Sequence, residues 1–274
     1  MDWKNGLSPL LSRLEELDSA VLALSGGLDS SFLLYALKEA GVRTLAVTGE
    51  SPTTPARDLQ DAVRVAMELE VAHRIIQTKE MERDGFIENS PERCFHCKDV
   101  LFTQLTGIAA DEGYSVVLDG TTADDLRDYR PGLRAASAHG ILSPLAECGM
   151  TKQVIREAAR AAGLSVSEKP ASPCLSSRFS YGTRITPEGL ERVSMAEDYL
   201  IRLGLNEFRV RDTDGSARIE VSPSQMDMVF KMRQEIVSAF KGLGYRFVSL
   251  DMEGFESGKL NRVLIKDKKD KPEG

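Results

Sequence analysis

Apolar runs alternate with helical patterns through the first two-thirds of this chain. Val21 to Leu24 is a short continuous apolar run of the kind buried in a parallel sheet, and Ser31-Phe32-Leu33-Leu34-Tyr35-Ala36-Leu37 reads as the first turns of a helix. Val42 to Val47 predicts a second strand ending at Thr48-Gly49-Glu50-Ser51, Arg57 to Glu70 a helix, His73 to Gln77 a third strand and Ser115 to Leu118 a fourth. A further helix is expected from Thr151 to Ala162, stopped by Gly163. Strands alternating with helices imply an α/β fold with a parallel sheet flanked by helices. The stretch from Ser167 to Thr186 is irregular, and loops of that length in a compact domain carry function or disorder.

The texture changes past Pro187. A helix over Glu188 to Leu203 precedes strands at Glu207 to Asp212 and Ala217 to Val221, with Thr213-Asp214-Gly215-Ser216 as the hairpin turn. A helix over Gln225 to Lys241 and a strand at Tyr245 to Leu250 complete a smaller α+β unit. The expected organisation is therefore a larger domain over 1–186, a small one over 187–265 and a charged tail over 266–274. A chain of 274 residues, 42% hydrophobic and 28% charged, buries a substantial core. Its net charge of −7 argues against a broad nucleic-acid surface. No apolar run approaches the ~20 residues needed to span a bilayer. Met1-Asp2-Trp3-Lys4-Asn5 lacks a signal-peptide core, so a cytoplasmic protein without a membrane partner is expected. In that compartment four cysteines read as thiols or metal ligands rather than disulfides.

The chemistry is concentrated first at Ser25-Gly26-Gly27-Leu28-Asp29-Ser30, between the first strand and its helix. Glycine bends the backbone through conformations closed to other residues and clears space for an oxyanion, while the helix start offers unpaired N–H groups. The turn is neither G-x-x-x-x-G-K-[ST] nor G-x-G-x-x-G. Serine-glycine-glycine-x-aspartate-serine after a strand resembles the pyrophosphate loop of the ATP pyrophosphatase (PP-loop) superfamily. ATP is the ligand this implies, with Asp29 a natural ligand for Mg2+. Thr48 to Ser51 and Asp119-Gly120-Thr121 follow the carboxyl ends of other strands, so Thr48, Ser51, Gly120 and Thr121 are expected around the same crevice.

Other candidates have two readings each. Cys94-Phe95-His96-Cys97 is a redox pair, half a zinc site, two buried thiols or part of an iron–sulfur site, with the pair at a helix start. His96 reads as a neighbour of ligands rather than a ligand, and Cys148 as structural. Lys98 meets a phosphate or is a solvated charge; Asp124 and Asp125 hold magnesium or a ribose, or cap a turn. Arg178 is placed to meet an adenylate or a substrate phosphate. Arg209 and Arg211 share a strand face, with Arg218 and Glu220 nearby, and either clamp a phosphate or form a charged solvent face.

Four further segments sharpen the picture: Gly120-Thr121-Thr122-Ala123-Asp124-Asp125, Asp128-Tyr129-Arg130-Pro131-Gly132, Ser143-Pro144-Leu145, and Lys169-Pro170-Ala171-Ser172-Pro173-Cys174-Leu175-Ser176-Ser177-Arg178. Together with the glycine turn they resemble the LarE family of ATP-dependent sulfur transferases, which help build a nickel-pincer nucleotide cofactor. The resemblance implies a PP-loop (adenine nucleotide alpha hydrolase-like) domain and a pyridinium dicarboxylate mononucleotide substrate, whose carboxylates are adenylated and converted to thiocarboxylates. It implies that Cys174 delivers sulfur, and that Cys94, Cys97 and Cys174 together hold a [4Fe–4S] cluster, with sulfide or another donor supplying the sulfur. It also implies that Arg209, Arg211 and Glu220 belong to the substrate-phosphate region, and that the protein forms homo-oligomers. Sacrificial loss of the Cys174 sulfur, tRNA thiolation, non-catalytic nucleotide binding and amidation are the competing readings; tRNA thiolation calls for a basic RNA-binding face, and none is visible.

Overall fold

The computed structural model describes residues 7–127, 131–170, 172–256 and 258–263. Met1 to Asn5, the Asp128-Tyr129-Arg130 motif, Ala171 and the charged tail lie outside the described residues. The chain divides into two compact units: Met1–Phe86 with Pro91–Ser172, and Ile87–Ser90 with Pro173–Gly274. The boundary falls before Pro173 rather than before Pro187, so the irregular stretch is split and Cys174 belongs to the second unit.

The first unit contains α1 (Ser8–Glu15), β1 (Ser19–Ala23), α2 (Leu28–Glu39), β2 (Arg43–Glu50), α3 (Ala56–Glu68) and β3 (Ala72–Gln77). After a short α4 (Asp84–Ile87) come α5 (Arg93–Glu112), β4 (Val116–Leu118), α6 (Pro131–Ala138), α7 (Pro144–Glu147) and α8 (Lys152–Ala161). The four strands are all parallel in the order β3-β2-β1-β4, as the alternation predicts. Strand β2 runs on to Glu50, so Thr48 lies within it rather than in the loop that follows. Successive β1 side chains leave opposite faces of the sheet. Ala20, Leu22 and Leu24 join a core with Leu10 and Leu14 of α1, Phe32 and Leu33 of α2 and Ile155 of α8. Val21 and Ala23 join a second core with Phe102 and Leu105 of α5 and Ala135 of α6. Burial on both faces is why β1 is apolar from Ala20 onward. The chain builds β1, β2 and β3 outward in one direction and then returns to place β4 on the other side of β1. The order therefore reverses at the carboxyl end of β1, where open α/β sheets bind ligands.

The second unit contains α9 (Pro187–Arg202), β5 (Phe208–Thr213), β6 (Ser216–Val221), α10 (Met226–Lys231), α11 (Arg233–Gly242) and β7 (Phe247–Leu250). The helix expected over Gln225 to Lys241 breaks at Met232, whose backbone leaves the helical region. Sheet order is β5-β6-β7, with β5 and β6 antiparallel and β6 and β7 parallel. Asp214 and Gly215 have φ of 48° and 77°, the pair of positive values that a two-residue type I′ hairpin needs. Leu200, Phe208, Val210, Ile219 and Phe240 form the core. Ile87–Ser90 is stitched into this unit: Ile185 N–H donates to Ile87 O at 2.8 Å, Gly182 N–H to Asn89 O at 3.0 Å, and Asn89 Nδ2 to Ser180 O at 2.7 Å. Among the described residues no helix is long and apolar enough to cross a membrane.

Phe32, on α2 two residues past the glycine turn, has no solvent exposure. Phe32→Ala should cost about 3–5 kcal/mol through lost burial and cavity formation, read as a lower urea midpoint for unfolding of the full chain.

Candidate active site

The turn after β1 is shaped by a close approach to α3. Gly26 has φ of +70°, and a Cβ there would lie 2.1 Å from Asp58 O and 2.8 Å from Ala62 N. Gly27 then caps α2 with no side chain of its own, so no capping side chain covers the helix start. Hydroxyls gather in the turn: Ser25 Oγ lies 3.0 Å from Ser30 Oγ, the Ser25 N–H donates to Ser30 Oγ at 3.2 Å, and the Gly27 N–H to Ser25 Oγ at 3.3 Å. Asp29 stands half-buried in the first turn of α2. A side-chain-free cap beside two hydroxyls and a carboxylate suits a polyphosphate and a hard cation.

The neighbouring strand ends wall this turn. A Cβ at Gly120 would lie 2.8 Å from the Ser30 nitrogen, so the β4 loop rests on the start of α2. Asp119 is buried and accepts from Thr121 N at 3.1 Å, Thr121 Oγ1 at 2.8 Å and Ser143 Oγ at 2.8 Å, which fixes Gly120 and Thr121. Thr48 Oγ1 donates its only proton to Leu24 O at 2.7 Å, so His73, 2.8 Å away, is the donor through Nε2. Burial pushes the His73 pKa down, keeping the ring neutral. Ser51 Oγ donates to buried Glu80, which also accepts from Thr53 at 3.0 Å. Thr48 and Ser51 are therefore wall residues with committed hydroxyls. Asp125 pairs with Lys152 Nζ at 2.8 Å and accepts from the Thr122 N–H at 3.1 Å, while Asp124 accepts from Lys152 N at 2.7 Å. These two carboxylates thus brace the loop ahead of α8 in the capping role.

Lys169, quoted only as part of a motif, has a central place. Its ammonium, with a side chain 12% exposed, lies 2.8 Å from Gly26 O, 2.8 Å from Asp58 and 2.5 Å from Asp61. Ser172 Oγ donates to Asp58 Oδ2 at 2.8 Å. The aspartates at i and i+3 on α3 were a sequence signal for a buried cation opposite them.

Cys94 and Cys97 lie at the start of α5, as expected, three residues apart and so on one helix face. Cys94 is exposed and Cys97 half-buried, and no cysteine is in a disulfide. Two soft thiolate donors at a helix start suit a thiophilic metal or cluster. Among the described residues no group of three or more His, Cys, Asp or Glu is gathered as a metal site. Lys98 Nζ sits 4.9 Å from the centre of the Phe102 ring. The His96 ring lies over Gly85, where a Cβ would meet it at 2.4 Å. Cys148 points its thiol at Pro9 O, 3.8 Å away, and burial pushes its pKa up, which fits a structural residue.

In the second unit Cys174 opens a single 3-10 turn, Leu175–Arg178. Arg178 is completely buried: Nε and Nη2 each donate to Glu197 at 2.8 Å, and Nη1 to Pro173 O at 2.7 Å, Cys174 O at 3.2 Å and Ser177 Oγ at 2.8 Å. Its donors are committed to the fold, which corrects the expectation that it meets an adenylate; it holds the carbonyls around Cys174. Arg211 is also buried, donating to Glu220 at 2.9 and 2.7 Å and to Ser177 O at 2.7 Å. Arg218 reaches the other Glu220 oxygen at 3.2 Å. Arg209 and Arg211 do share a strand face with Glu220, but Glu220 already balances Arg211, and Arg209 lies over the Phe255 ring at 4.8 Å. A cavity of about 390 Å³ opens elsewhere in this unit, lined by Arg184, Arg192 and Arg246 among others and by none of the expected residues.

A parallel sheet with a side-chain-free, serine-lined turn at its reversal point defines the first unit as a PP-loop nucleotide-binding domain. The asparagine synthase family matches residues 12–136, which span that sheet. Over nearly the whole chain the similarity is to pyridinium-3,5-bisthiocarboxylic acid mononucleotide synthase of Lactiplantibacillus plantarum, 34% identical, covering 94% of each chain. An uncharacterized protein of Synechocystis sp. is 44% identical over 92% of this chain and 95% of its own. The tRNA-specific 2-thiouridylase MnmA of Clostridium kluyveri is 30% identical over only 54% of this chain and 52% of its own. The chain belongs to the LarE family of ATP-dependent sulfurtransferases.

Removing one partner of the Arg178–Glu197 pair leaves a buried uncompensated charge, so Arg178→Leu should cost about 3–5 kcal/mol. Burial raises the Glu197 pKa, but the Arg178 charge and hydrogen bonds outweigh it and the net shift is downward. The stabilisation is therefore present above the ordinary glutamate pKa of about 4.3 and lost as pH falls through the lower folded value. A melting-temperature profile should drop in that acid range for the natural chain and be flatter for Glu197→Gln.

Proposed function

We propose that this protein adenylates the carboxylates of a pyridinium dicarboxylate mononucleotide and replaces the adenylate with sulfur. The observation that carries the first half is the side-chain-free cap at Gly27 beside the Ser25 and Ser30 hydroxyls. A substrate carboxylate oxygen attacks the α-phosphorus of ATP, the bond to the bridging oxygen breaks, and pyrophosphate leaves. The turn's N–H groups and hydroxyls bind the phosphate chain and stabilise charge as it develops on the leaving group. Asp29 would hold Mg2+, which supplies further charge neutralisation when bound. A sulfur nucleophile then attacks the acyl carbon, the bond to AMP breaks, and a thiocarboxylate remains; repetition gives the bisthiocarboxylate. The named relative from Lactiplantibacillus plantarum supports this substrate.

Cys174 is the proposed sulfur-delivering residue, fixed through its backbone by Arg178. Cys94, Cys97 and Cys174 are proposed as the three thiolates that would hold a [4Fe–4S] cluster, which would carry exogenous sulfide for the transfer. Lys98 is proposed to meet a phosphate, and Arg209 to meet the substrate phosphate beside the Arg211–Glu220 pair that orders its strand face. Family resemblance further supports a homo-oligomer of the cytoplasm. The partial likeness to the 2-thiouridylase supports a second reading, tRNA thiolation, over about half the chain.

Asp29→Ala should abolish pyrophosphate release from ATP in the presence of the pyridinium substrate; equal release by the variant would remove Asp29 from the reaction. Protein purified without oxygen should contain iron and sulfide, lost in Cys94→Ala, Cys97→Ala and Cys174→Ala, and should make many thiolated products per chain. Stoichiometric zinc would sink the cluster, and one product per chain would mean sacrifice of the Cys174 sulfur. Thiolated tRNA in place of thiolated pyridinium would establish the second reading.

A further inference from the structure

We infer that Lys169 is a positioning residue for ATP cleavage, acting by setting the peptide plane between Gly26 and Gly27; this rests on the reading of that turn as the pyrophosphate site. The Lys169 ammonium carries three N–H donors, and three acceptors surround it: Gly26 O at 2.8 Å, Asp58 at 2.8 Å and Asp61 at 2.5 Å. With one N–H given to Gly26 O and its charge paired with both aspartates, the ammonium is held inside the fold, and its part in the reaction is indirect.

The consequence follows from peptide geometry. A trans peptide is planar and points its C=O and the following N–H in opposite directions. No cis bond occurs among the described residues, so fixing Gly26 O toward α3 turns the Gly27 N–H the other way, into the turn. That N–H is directed at Ser25 Oγ, whose partner is Ser30 Oγ, so it joins the hydroxyls proposed to bind the phosphate chain. Glycine on both sides of this peptide gives it the freedom to flip, because neither neighbour has a side chain to resist it. A positive charge held by two carboxylates beneath the carbonyl removes that freedom. The aspartates matter as much as the lysine: Asp58 is buried and further held by Ser172 Oγ, while Asp61 also pairs with Arg64 at 2.5 Å. Binding donors that are already aimed lose less on association than donors that must first be ordered.

Inorganic pyrophosphate, the proposed product, tests this by calorimetry on the full chain, alongside melting temperature and ATP-dependent turnover. Lys169→Met should weaken pyrophosphate binding about tenfold and lower turnover at least as much, whereas Lys169→Arg, which can still donate to Gly26 O, should recover most of both. Asp61→Asn keeps the lysine and should give a smaller loss, about threefold, and it serves if Lys169→Met does not fold. A merely structural lysine would lower the melting temperature while leaving pyrophosphate affinity of the folded protein unchanged, and that result would overturn the inference. If the natural chain binds no pyrophosphate at all, the nucleotide reading itself falls and the role of Lys169 falls with it; binding by the natural chain with equal binding by the variants removes only Lys169.

Discussion

Everything at the nucleotide end of the first unit depends on one backbone approach, Gly26 against Asp58 and Ala62 of α3. The gap leaves no room for a Cβ, and the backbone there is left-handed. That contact sets where the turn sits, and the turn sets the start of α2. The β4 loop then packs on that start with a similar exclusion at Gly120. Two glycines thus act as spacers of zero thickness between backbones, and the polar groups of the turn fall into register because nothing else fits.

The second unit is organised by charge rather than by contact distance. Burying Arg178 and Glu197 costs several kcal/mol per ion, and the loss is offset only because two parallel N–H···O bonds join them and Glu197 also accepts from Val210 N–H at 3.1 Å. What the arrangement yields is geometry. The free edge of the guanidinium ties down the carbonyls of Pro173 and Cys174, and Arg211 ties down Ser177. A segment with little regular structure is thereby given defined coordinates around its thiol.

The sheet and the Ser25–Ser30 turn were legible in the sequence because their signals are local: apolar runs of strand length, and glycines between a strand and a helix. The placement of Cys94 and Cys97 at a helix start was legible for the same reason. What escaped was the commitment of side chains to partners remote in sequence. Thr48 looked available until His73 and Leu24 took its hydroxyl, and Ser51 until Glu80 did. Arg178 read as a ligand for an anion; its anion is Glu197 inside the protein. For Arg211 the partner Glu220 was in view, but a cross-strand carboxylate satisfies an arginine as well as a phosphate does. Lys169 reaches Gly26 across 143 positions, a pairing no local pattern encodes.

Ile87–Ser90 belongs by its contacts to the unit whose remaining residues begin at Pro173. Asn89 is fully buried there, with its backbone left-handed and its amide bound to Phe179 and Ser180 carbonyls. A ribosome delivers this four-residue piece long before the chain that will surround it. During synthesis it has to wait solvated while the first unit condenses on either side of it. The second unit is therefore obliged to fold late and through long-range closure, because one of its pieces waits for partners that lie some ninety positions further along the chain.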